Sequence, residues 1–361
     1  MTANYLITAA AACLFAAAAD ATPRTVASYS DRALPPSIGK YAKDITWPSR
    51  ETLIIATEQG VYGLRVGSGL PVEIIKGLAV PDGLLDPTAL SSDGQSVSAI
   101  SWNSNAGFSL RLTDHKRLVA QRSFRLIPMD VAVFGSRACV VGFTPKPSSE
   151  ADQDAALWCG STSAAWGELT PMHHLHNDHA LSLFREAQGP FGGRIAIESD
   201  GTIDVITSVQ PGVFRYSGDG KLKEVLGRSV DNLVIESMQE MRTVFASDLD
   251  HRYRLLLNTQ PIIDDLVVTA SGPAILVRLA DGDKIHWELW YPLRSGGIGA
   301  RVRLGIERIG PYGHLRCDVR GADLACVGSQ PPVNEAALAK TAQAWPHLWL
   351  FHLPPQSQGA Q

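Results

Sequence analysis

The stretch RIAIESDGTIDVITSVQPGVFRYSGDGKLKEVL, residues 194–226, contains four short apolar runs separated by turn signals. Apolar residues alternate in RIAI and again in IDVI, and Asp200-Gly201 lies between these two runs as a strong hairpin signal. GVFRY forms a third run, Asp219-Gly220 marks a second turn, and KLKEVL forms a fourth run. This pattern predicts an antiparallel sheet of four strands that are joined up and down.

The same pattern recurs in six units along the chain. Their first tight turns fall near residues 49, 93, 136, 200, 271 and 321, so the steps between units are 44, 43, 64, 71 and 50 residues. The shorter steps match the roughly forty residues of a propeller blade, and the longer steps indicate insertions. We therefore predict an all-β fold, a six-bladed β-propeller. A seventh blade within 227–262 is the alternative, but the three- and four-residue spacing of apolar residues there favours a helix.

The last unit has no fourth strand of its own, because the chain ends in the polar tail PPQSQGAQ. The segment RTVASY, residues 24–29, is an unpaired candidate strand near the other end. We expect this N-terminal strand to complete the last blade, because the pairing removes an exposed sheet edge. The prediction is one propeller domain over residues 22–353, followed by a flexible tail over 354–361.

The first 21 residues have the features of a signal peptide. Residues 6–19 form an apolar run that is short for a membrane span, and Ala19-Asp20-Ala21 fits a cleavage site. No Lys or Arg precedes Arg24, so an uncleaved anchor or a different start codon remains an alternative. We predict export to the periplasm or the extracellular space, with no transmembrane span in the mature chain.

Four cysteines lie outside the predicted signal peptide, and their placement indicates two disulfides. With Gly-Ala at the centre of the hairpin HLRCDVRGADLACVGS, Cys317 stands opposite Cys326. Cys139 and Cys159 fall on neighbouring strands of unit three and would form the second pair. An oxidising compartment supports both bonds, although four buried free thiols are the alternative. A zinc site is not expected at these cysteines, because the sequence contains no Cys-x-x-Cys spacing.

The long insertions fall only in loops that propeller geometry places on one face. They occupy 144–154, 171–193, 227–262 and 329–345. Such confinement is typical of a binding face, so we expect a partner protein or a small extracellular ligand there. Poor tolerance of insertions by the tight turns is the alternative explanation. The formal net charge of −4 is mild and gives no sign of a nucleic-acid partner.

Six residues precede the inner strands of the six units and are predicted to ring the channel mouth on the same face. They are Asp44, Asp86, Asp130, Arg194, Asp265 and His314. Four carboxylates around one axis would raise each other's pKa or attract a cation. The hypothesis is a site for Ca²⁺, another divalent metal or a cationic ligand. The alternative is a set of solvated residues at the starts of strands.

A second candidate metal site is the segment MHHLHNDH. It provides His173, His174, His176, Asp178 and His179 within seven residues. Neutral imidazoles suit Zn, Cu or Ni. The spacing matches no standard zinc motif, so a solvated loop that is rich in histidine is the favoured interpretation.

The unit pattern, above all GVFRYSGDGKLKEVLG, resembles the six-bladed propeller superfamily that includes NHL-repeat and gluconolactonase-like proteins. The resemblance spans nearly all of the predicted mature chain and concerns the fold, since no catalytic motif of a family aligns residue by residue. In gluconolactonase-like propellers a divalent metal in the channel mouth drives lactone chemistry. The resemblance therefore implies a metal-dependent hydrolase or lactonase at the Asp ring as one function.

The absence of catalytic motifs favours a different function. The sequence contains no Gly-x-Ser-x-Gly elbow and no phosphate-binding glycine loop. We therefore predict an exported binding or scaffolding protein that uses the face with the long insertions, with the hydrolase or lactonase as the alternative. A structural propeller without a ligand is a third interpretation, because propellers serve all three roles.

Overall fold

The computed structural model describes residues 23–39, 42–66, 73–78, 87–101, 106–112, 117–121, 125–145, 149, 152, 154–161, 169–175, 192–229, 261–281, 284–306, 314–329 and 346–355. These residues form 24 strands and one short 3₁₀ helix, Pro36–Ile38. The predicted signal peptide, the predicted helix except for the two ends of 227–262, and the last six residues of the tail lie outside the described residues.

The first three units of the sequence are three four-stranded antiparallel sheets. Unit one consists of β2 (Ala42–Ser49), β3 (Thr52–Thr57), β4 (Gly60–Arg65) and β5 (Glu73–Leu78). Unit two consists of β6 (Ala89–Ser92), β7 (Ser96–Ser101), β8 (Ala106–Arg111) and β9 (Arg117–Gln121). Unit three consists of β10 (Ile127–Phe134), β11 (Arg137–Phe143), β12 (Ala155–Ser161) and β13 (Thr170–His174).

The remaining units are one four-stranded sheet and one eight-stranded sheet. Unit four consists of β14 (Gly193–Ile197), β15 (Ile203–Thr207), β16 (Gln210–Tyr216) and β17 (Leu222–Leu226). Unit five consists of β18 (Ile262–Thr269), β19 (Gly272–Asp281), β20 (Lys284–Pro292) and β21 (Ile298–Gly305). Unit six consists of β22 (His314–Arg320), β23 (Asp323–Ser329), β24 (His347–His352) and β1 (Arg24–Ala33).

The core follows from the apolar alternation, because each sheet buries one set of side chains against the unit before it and the other set against the unit after it. Six apolar clusters form in this way, and each joins two successive units, including unit six to unit one. The innermost strands β2, β6, β10, β14, β18 and β22 contact one another in the same cyclic order. This closed circle of antiparallel sheets is the arrangement of a β-propeller.

The N-terminal strand joins unit six, as the sequence predicted, but it extends further than residues 24–29. Ser28–Ala33 pairs antiparallel with β24, with a register shift between Ser28 and Ser30. Arg24–Ala27 pairs instead with β21 of unit five, in parallel. β1 therefore crosses from one unit to the next and joins units five and six into the single eight-stranded sheet.

The tight turns and the disulfides agree with the sequence patterns. Gly201, after Asp200, has a positive φ of 83°, which glycine adopts without strain. Cys317 lies directly opposite Cys326 on β22 and β23, and the two are bonded with a Cα–Cα distance of 4.1 Å. Cys139 and Cys159 form the second disulfide between β11 and β12. The alternative of free thiols is therefore wrong.

One predicted insertion is partly wrong. The segment 171–193 was predicted to be a loop, but Thr170–His174 forms β13 and pairs with β12. This strand fits because unit three needs a fourth strand and no other described segment supplies one. Among the described residues, no helix has both the length and the apolar character that a bilayer crossing needs.

Candidate functional site

Three of the predicted channel residues sit at equivalent irregularities of their strands. In β2, β10 and β18 the pairing register shifts directly before Asp44, Asp130 and Asp265. Each shift is a β-bulge, which inserts one residue and turns the following side chain to a new direction. The inserted residues are Lys43, Met129 and Asp264. The bulges occur in the first, third and fifth units, and the inner strands of the other three units pair without a shift.

The bulge lets each aspartate bridge two units through backbone N–H groups. One carboxylate oxygen accepts from the next residue of its own strand, at 2.8–2.9 Å. The other oxygen accepts from the inner strand of the following unit. We call these three bonds the upper clasps: Leu90 N to Asp44 Oδ2 at 2.6 Å, Ile195 N to Asp130 Oδ2 at 3.0 Å, and Cys317 N to Asp265 Oδ2 at 2.7 Å.

Two further bonds, which we call the lower clasps, close alternate junctions one residue further along the inner strands. Ser91 Oγ accepts from Val133 N at 2.9 Å and so ties unit two to unit three. Asp318 Oδ2 accepts from Trp47 N at 2.6 Å and ties unit six to unit one. These bonds join inner strands of separate sheets. They give an acceptor to backbone N–H groups at the channel wall that would otherwise have none.

The junction between units four and five is closed differently. Ala196, which has no acceptor, stands where Ser91 and Asp318 stand in units two and six. Arg194 instead donates from Nε to the backbone oxygen of Asp264 at 2.8 Å. A side-chain cation therefore replaces a side-chain acceptor at this junction.

Two arginines lie among the carboxylates of the upper clasps. Arg316 Nη1 contacts the backbone oxygen of Asp264 and lies 3.8 Å from Asp265 Oδ1. Burial raises the pKa of Asp265 to about 7, although the charge of Arg316 opposes that shift. Burial also raises the pKa of Asp44 and of Asp130. The Arg316 guanidinium thus occupies the electrostatic position that the sequence analysis assigned to a bound cation.

The described residues at this site fit a resident metal ion poorly. Both oxygens of each upper-clasp aspartate already accept a backbone N–H, and Arg316 supplies positive charge beside them. In the part of the chain that the structure describes, no group of three or more His, Cys, Asp or Glu side chains could hold a metal ion. The aspartates therefore act here as links between units.

The structure brings together four of the six predicted channel residues. The charge of Arg316 acts on all four of them, namely Asp44, Asp130, Arg194 and Asp265. Asp86 lies outside the described residues, and Ser91 makes the clasp of its unit. His314 begins β22 and is partly buried, and burial lowers its pKa to about 4, so the ring is neutral near neutral pH.

The structural role in unit six belongs to Asp318 and Arg316, which the sequence analysis missed. The position of Asp318 in its unit could have indicated its role, because Asp318 follows Cys317 as Ser91 follows Leu90.

The histidine-rich segment is not the solvated loop that the sequence favoured, as far as it is described. His173 is buried on β13, with Nδ1 at 2.5 Å from the Tyr216 hydroxyl and Nε2 at 2.8 Å from Gln210 Oε1. His174, the next residue along the strand, contacts Asp154 at 2.8 Å. Adjacent strand residues point to opposite faces, so these two rings do not converge on one ion. The remaining candidates, His176, Asp178 and His179, lie outside the described residues.

A cavity of about 400 Å³ occupies the channel below the upper clasps. Its lining runs from the buried carboxylates of Asp44, Asp130 and Asp265 to the exposed turn residues Phe134 and Ser199. The exposed part of the lining therefore lies at the end of the channel that carries the tight turns, opposite to the face on which the sequence predicts the long insertions.

No family model matches this chain, and no curated protein matches it. Several solved structures match over most of their length. They include the calcium-binding protein regucalcin from Agrobacterium tumefaciens, with 12% identity, coverage of 92% of this chain and 97% of that chain, and a TM-score of 0.47. A chain of a mitotic checkpoint complex matches with 10% identity, 93% and 94% coverage, and a TM-score of 0.50. Hydrazine synthase from Kuenenia stuttgartiensis matches with 14% identity, 84% and 80% coverage, and a TM-score of 0.46. At these identities the likeness is one of fold alone.

Proposed function

We propose that this chain is an exported, six-bladed β-propeller that binds a partner or ligand and does not transform it chemically. The observation that carries the proposal is the use of the channel carboxylates. The carboxylate oxygens of Asp44, Asp130 and Asp265 accept hydrogen bonds from backbone N–H groups of two neighbouring units. The positive charge of Arg316 lies beside them. A catalytic metal would have to share those oxygens with the backbone donors and lie beside the positive charge of Arg316.

The closed cycle of strand contacts supports six blades. Each of the six junctions has its own apolar cluster and its own side-chain link between inner strands. The two disulfides support export, because such bonds persist in oxidising compartments and are rare in the cytosol.

We place the binding surface on the face that carries the insertions 144–154, 171–193, 227–262 and 329–345. Long loops on one face of a rigid repeat scaffold are the usual location of a recognition surface. The clasps between blades provide that rigidity, because they fix the strands that flank the insertions around the axis. The expected occupant is a partner protein or another extracellular ligand.

The test is a binding comparison between two variants of the secreted, unreduced protein. The first variant shortens the insertion at 329–345 to a short Gly-Ser linker. The matched control, Arg50→Ala with Glu51→Ala, changes the exposed turn between β2 and β3 on the opposite face. We expect the partner captured by the wild type from the medium of its own host to be lost from the first variant only. Equal capture by both variants contradicts the assignment of the face.

The hydrolase or lactonase remains the second candidate, because the aspartate ring does converge on the channel. Metal content and thermal shift with EDTA and with Ca²⁺ distinguish the two functions. We expect no stoichiometric ion and no shift. A bound ion, with a shift that the Asp130→Asn, Asp265→Asn double variant abolishes, would replace the binding proposal and justify a screen of lactones.

A further inference from the structure

A row of charged residues crosses unit four on the side that faces unit five. Asp204 on β15 pairs in register with Arg215 on β16, and Arg215 pairs with Glu224 on β17. Ile206 and Val213 on the same two strands belong to the apolar cluster between units four and five. The charged row therefore continues the face of unit four that packs against unit five, with Asp204 at its buried end and Glu198 and Glu224 partly exposed.

One guanidinium serves three carboxylates in this row. Arg215 donates from Nε to Asp204 Oδ1 at 2.8 Å and from Nη1 to Glu224 Oε1 at 2.9 Å, and its Nη2 contacts Glu198. The Asp204 side chain has no exposed surface. Its second oxygen, Oδ2, is buried and accepts no hydrogen bond from the described residues, and the nearby Glu198 carboxylate brings a second negative charge to Asp204. A full negative charge on that oxygen would be costly.

The charges of the row balance only when one carboxyl group carries a proton. Glu198, Asp204 and Glu224 offer three negative charges, whereas Arg215 and Arg294 offer two positive charges. Arg294 lies in the turn between β20 and β21 of unit five and contacts Glu224 Oε2 at 2.7 Å. Asp204 is the group that takes the proton, because it is the most deeply buried of the three carboxyl groups. Burial raises the pKa of Asp204 to about 7, although Arg215 opposes that shift.

Other charged groups near this face do not change the balance. Asp200 and Lys223 are exposed and lie 4.0 Å apart at the edge of unit four. Unit five packs mainly apolar side chains here, namely Ile263, Leu266, Ile275, Val277 and Trp290. Further along unit five, His286 contacts Glu288 at 3.3 Å, and Arg301 lies over the Trp290 ring at 4.4 Å.

The location of the row gives it a role in the ring. The junction between units four and five is the one at which Ala196 leaves the lower clasp absent. Ala196 is also the register partner of Asp204 on the adjacent strand. The charged row, with Arg294 reaching across, therefore lies where the inner strands are linked least by acceptors.

We propose that the contact between units four and five is an acid-tightened clasp, which holds firmly while Asp204 carries a proton and loosens when that proton is lost. The inference goes beyond ligand binding on the insertion face and concerns how the scaffold responds to its surroundings. An exported protein meets a wider range of pH than a cytosolic one, so such a contact would make one sector of the ring looser in neutral than in acidic medium.

The direction of the effect follows from proton linkage. The folded state holds the Asp204 proton up to about pH 7, whereas an ordinary Asp loses it near 3.8. Between these values the folded state binds more protons than the unfolded state, so its stability falls as the pH rises through this interval. Above about pH 7 the contribution has been lost.

The experiment compares thermal unfolding of the full secreted chain with that of Asp204→Asn from about pH 5 to about pH 8. The amide keeps an acceptor for Arg215, offers a donor to Glu198 and carries no charge at any pH. We expect the variant's Tm relative to wild type to increase by about 4 °C over this range. Asp265 and His314 titrate in both proteins, so their contributions cancel in the difference. A difference that stays flat with pH overturns the proposal.

A second variant and a local measurement cover the case in which Asp204→Asn does not fold. Glu198→Gln removes a neighbouring negative charge, so the pH-dependent fall in Tm should move to lower pH than in wild type. Hydrogen exchange in the wild type, corrected for intrinsic rates, should show faster opening of β17 (Leu222–Leu226) at about pH 8 than at about pH 6. β23 (Asp323–Ser329) is the control strand and should not change. Equal protection of β17 at both pH values contradicts the proposed pH-dependent contact between units four and five. A Tm profile that Glu198→Gln leaves at the same pH contradicts it as well.

Discussion

The first, third and fifth units of the propeller differ from the second, fourth and sixth in how they treat the channel wall. The odd units each have a β-bulge followed by an aspartate that reaches the next unit. The even units have regular inner strands and receive that aspartate on a backbone N–H. The ring is therefore assembled as three pairs of units, although the sequence pattern suggests six equal repeats.

The even units differ among themselves at the residue that returns the link to the next odd unit. This residue is Ser91 in unit two, Ala196 in unit four and Asp318 in unit six. The upper clasps are thus uniform and the lower clasps are variable. The difference indicates that the upper clasps define the ring, while the lower ones adjust how firmly each pair of units is held to the next.

The largest effect is expected from Asp130→Ala, which removes an upper clasp. The variant leaves Val131 N and Ile195 N without their acceptor and leaves Arg194 beside a lost charge, so we expect a loss of about 4 kcal/mol in the free energy of unfolding. Chemical denaturation measures it. The control is Asp323→Ala, because the Asp323 side chain is half-exposed and pairs with the exposed His352. Equal losses in the two variants would show that the upper clasps do not carry the ring.

The next effect compares the two disulfides, one in an odd unit and one in an even unit. Replacing Cys139 and Cys159 by Ala opens a link between residues 20 apart, whereas replacing Cys317 and Cys326 opens one between residues 9 apart. Loop entropy predicts losses of about 3.3 and about 2.6 kcal/mol. Denaturant midpoints of the two double variants measure them. A larger loss for the shorter loop would indicate that the bond in unit six supports the neighbouring Asp318 clasp as well.

A smaller effect is expected from Ser91→Ala, which removes a lower clasp and leaves Val133 N without its acceptor. We expect a loss of about 1.5 kcal/mol, because one neutral hydrogen bond is lost at a partly buried position. Ser199→Ala is the control, since Ser199 is exposed at the cavity opening. A loss as large as that of Asp130→Ala would contradict the distinction between upper and lower clasps.

The smallest effect is a gain. Ala196→Ser supplies the lower clasp that unit four lacks, with Val268 N as its expected donor. Val268 follows Asp265 by three residues, as Val133 follows Asp130. We expect a gain of about 0.5 kcal/mol, measured as a rise in Tm. Ala196→Val adds volume without an acceptor and should not stabilise the protein.

Much of the fold could be predicted from local patterns. Asp200-Gly201 and the two disulfides depend on hairpin geometry within one unit, which the spacing of residues determines. The participation of the N-terminal strand followed from the missing strand in unit six. Its extension to Ala33 did not, because the parallel pairing with β21 depends on where two units meet.

The candidate site could be predicted only in part. The sequence indicated that Asp44, Asp130 and Asp265 face the channel, but not that they bond to the next unit, because a β-bulge has no reliable signal in one sequence. Aligning the units on their turns selected His314 in unit six, whereas the link is made by Asp318, which lies closer to the turn. Arg316 was missed because its partners come from units one, three and five, which are far apart in the chain.

The pairing of β1 has a consequence for the time order of folding. Ser28 pairs with Phe351 and Ala33 pairs with His347, so this contact links residues more than three hundred positions apart. β1 leaves the ribosome before the other described strands and β24 leaves after them, and contacts of such long range form slowly. Until β24 has been synthesised, the edge of β1 that will face it stays unpaired. The newly made chain therefore passes through an interval of open-edged strands, which a binding chaperone or prompt completion of the C-terminal strand would shorten.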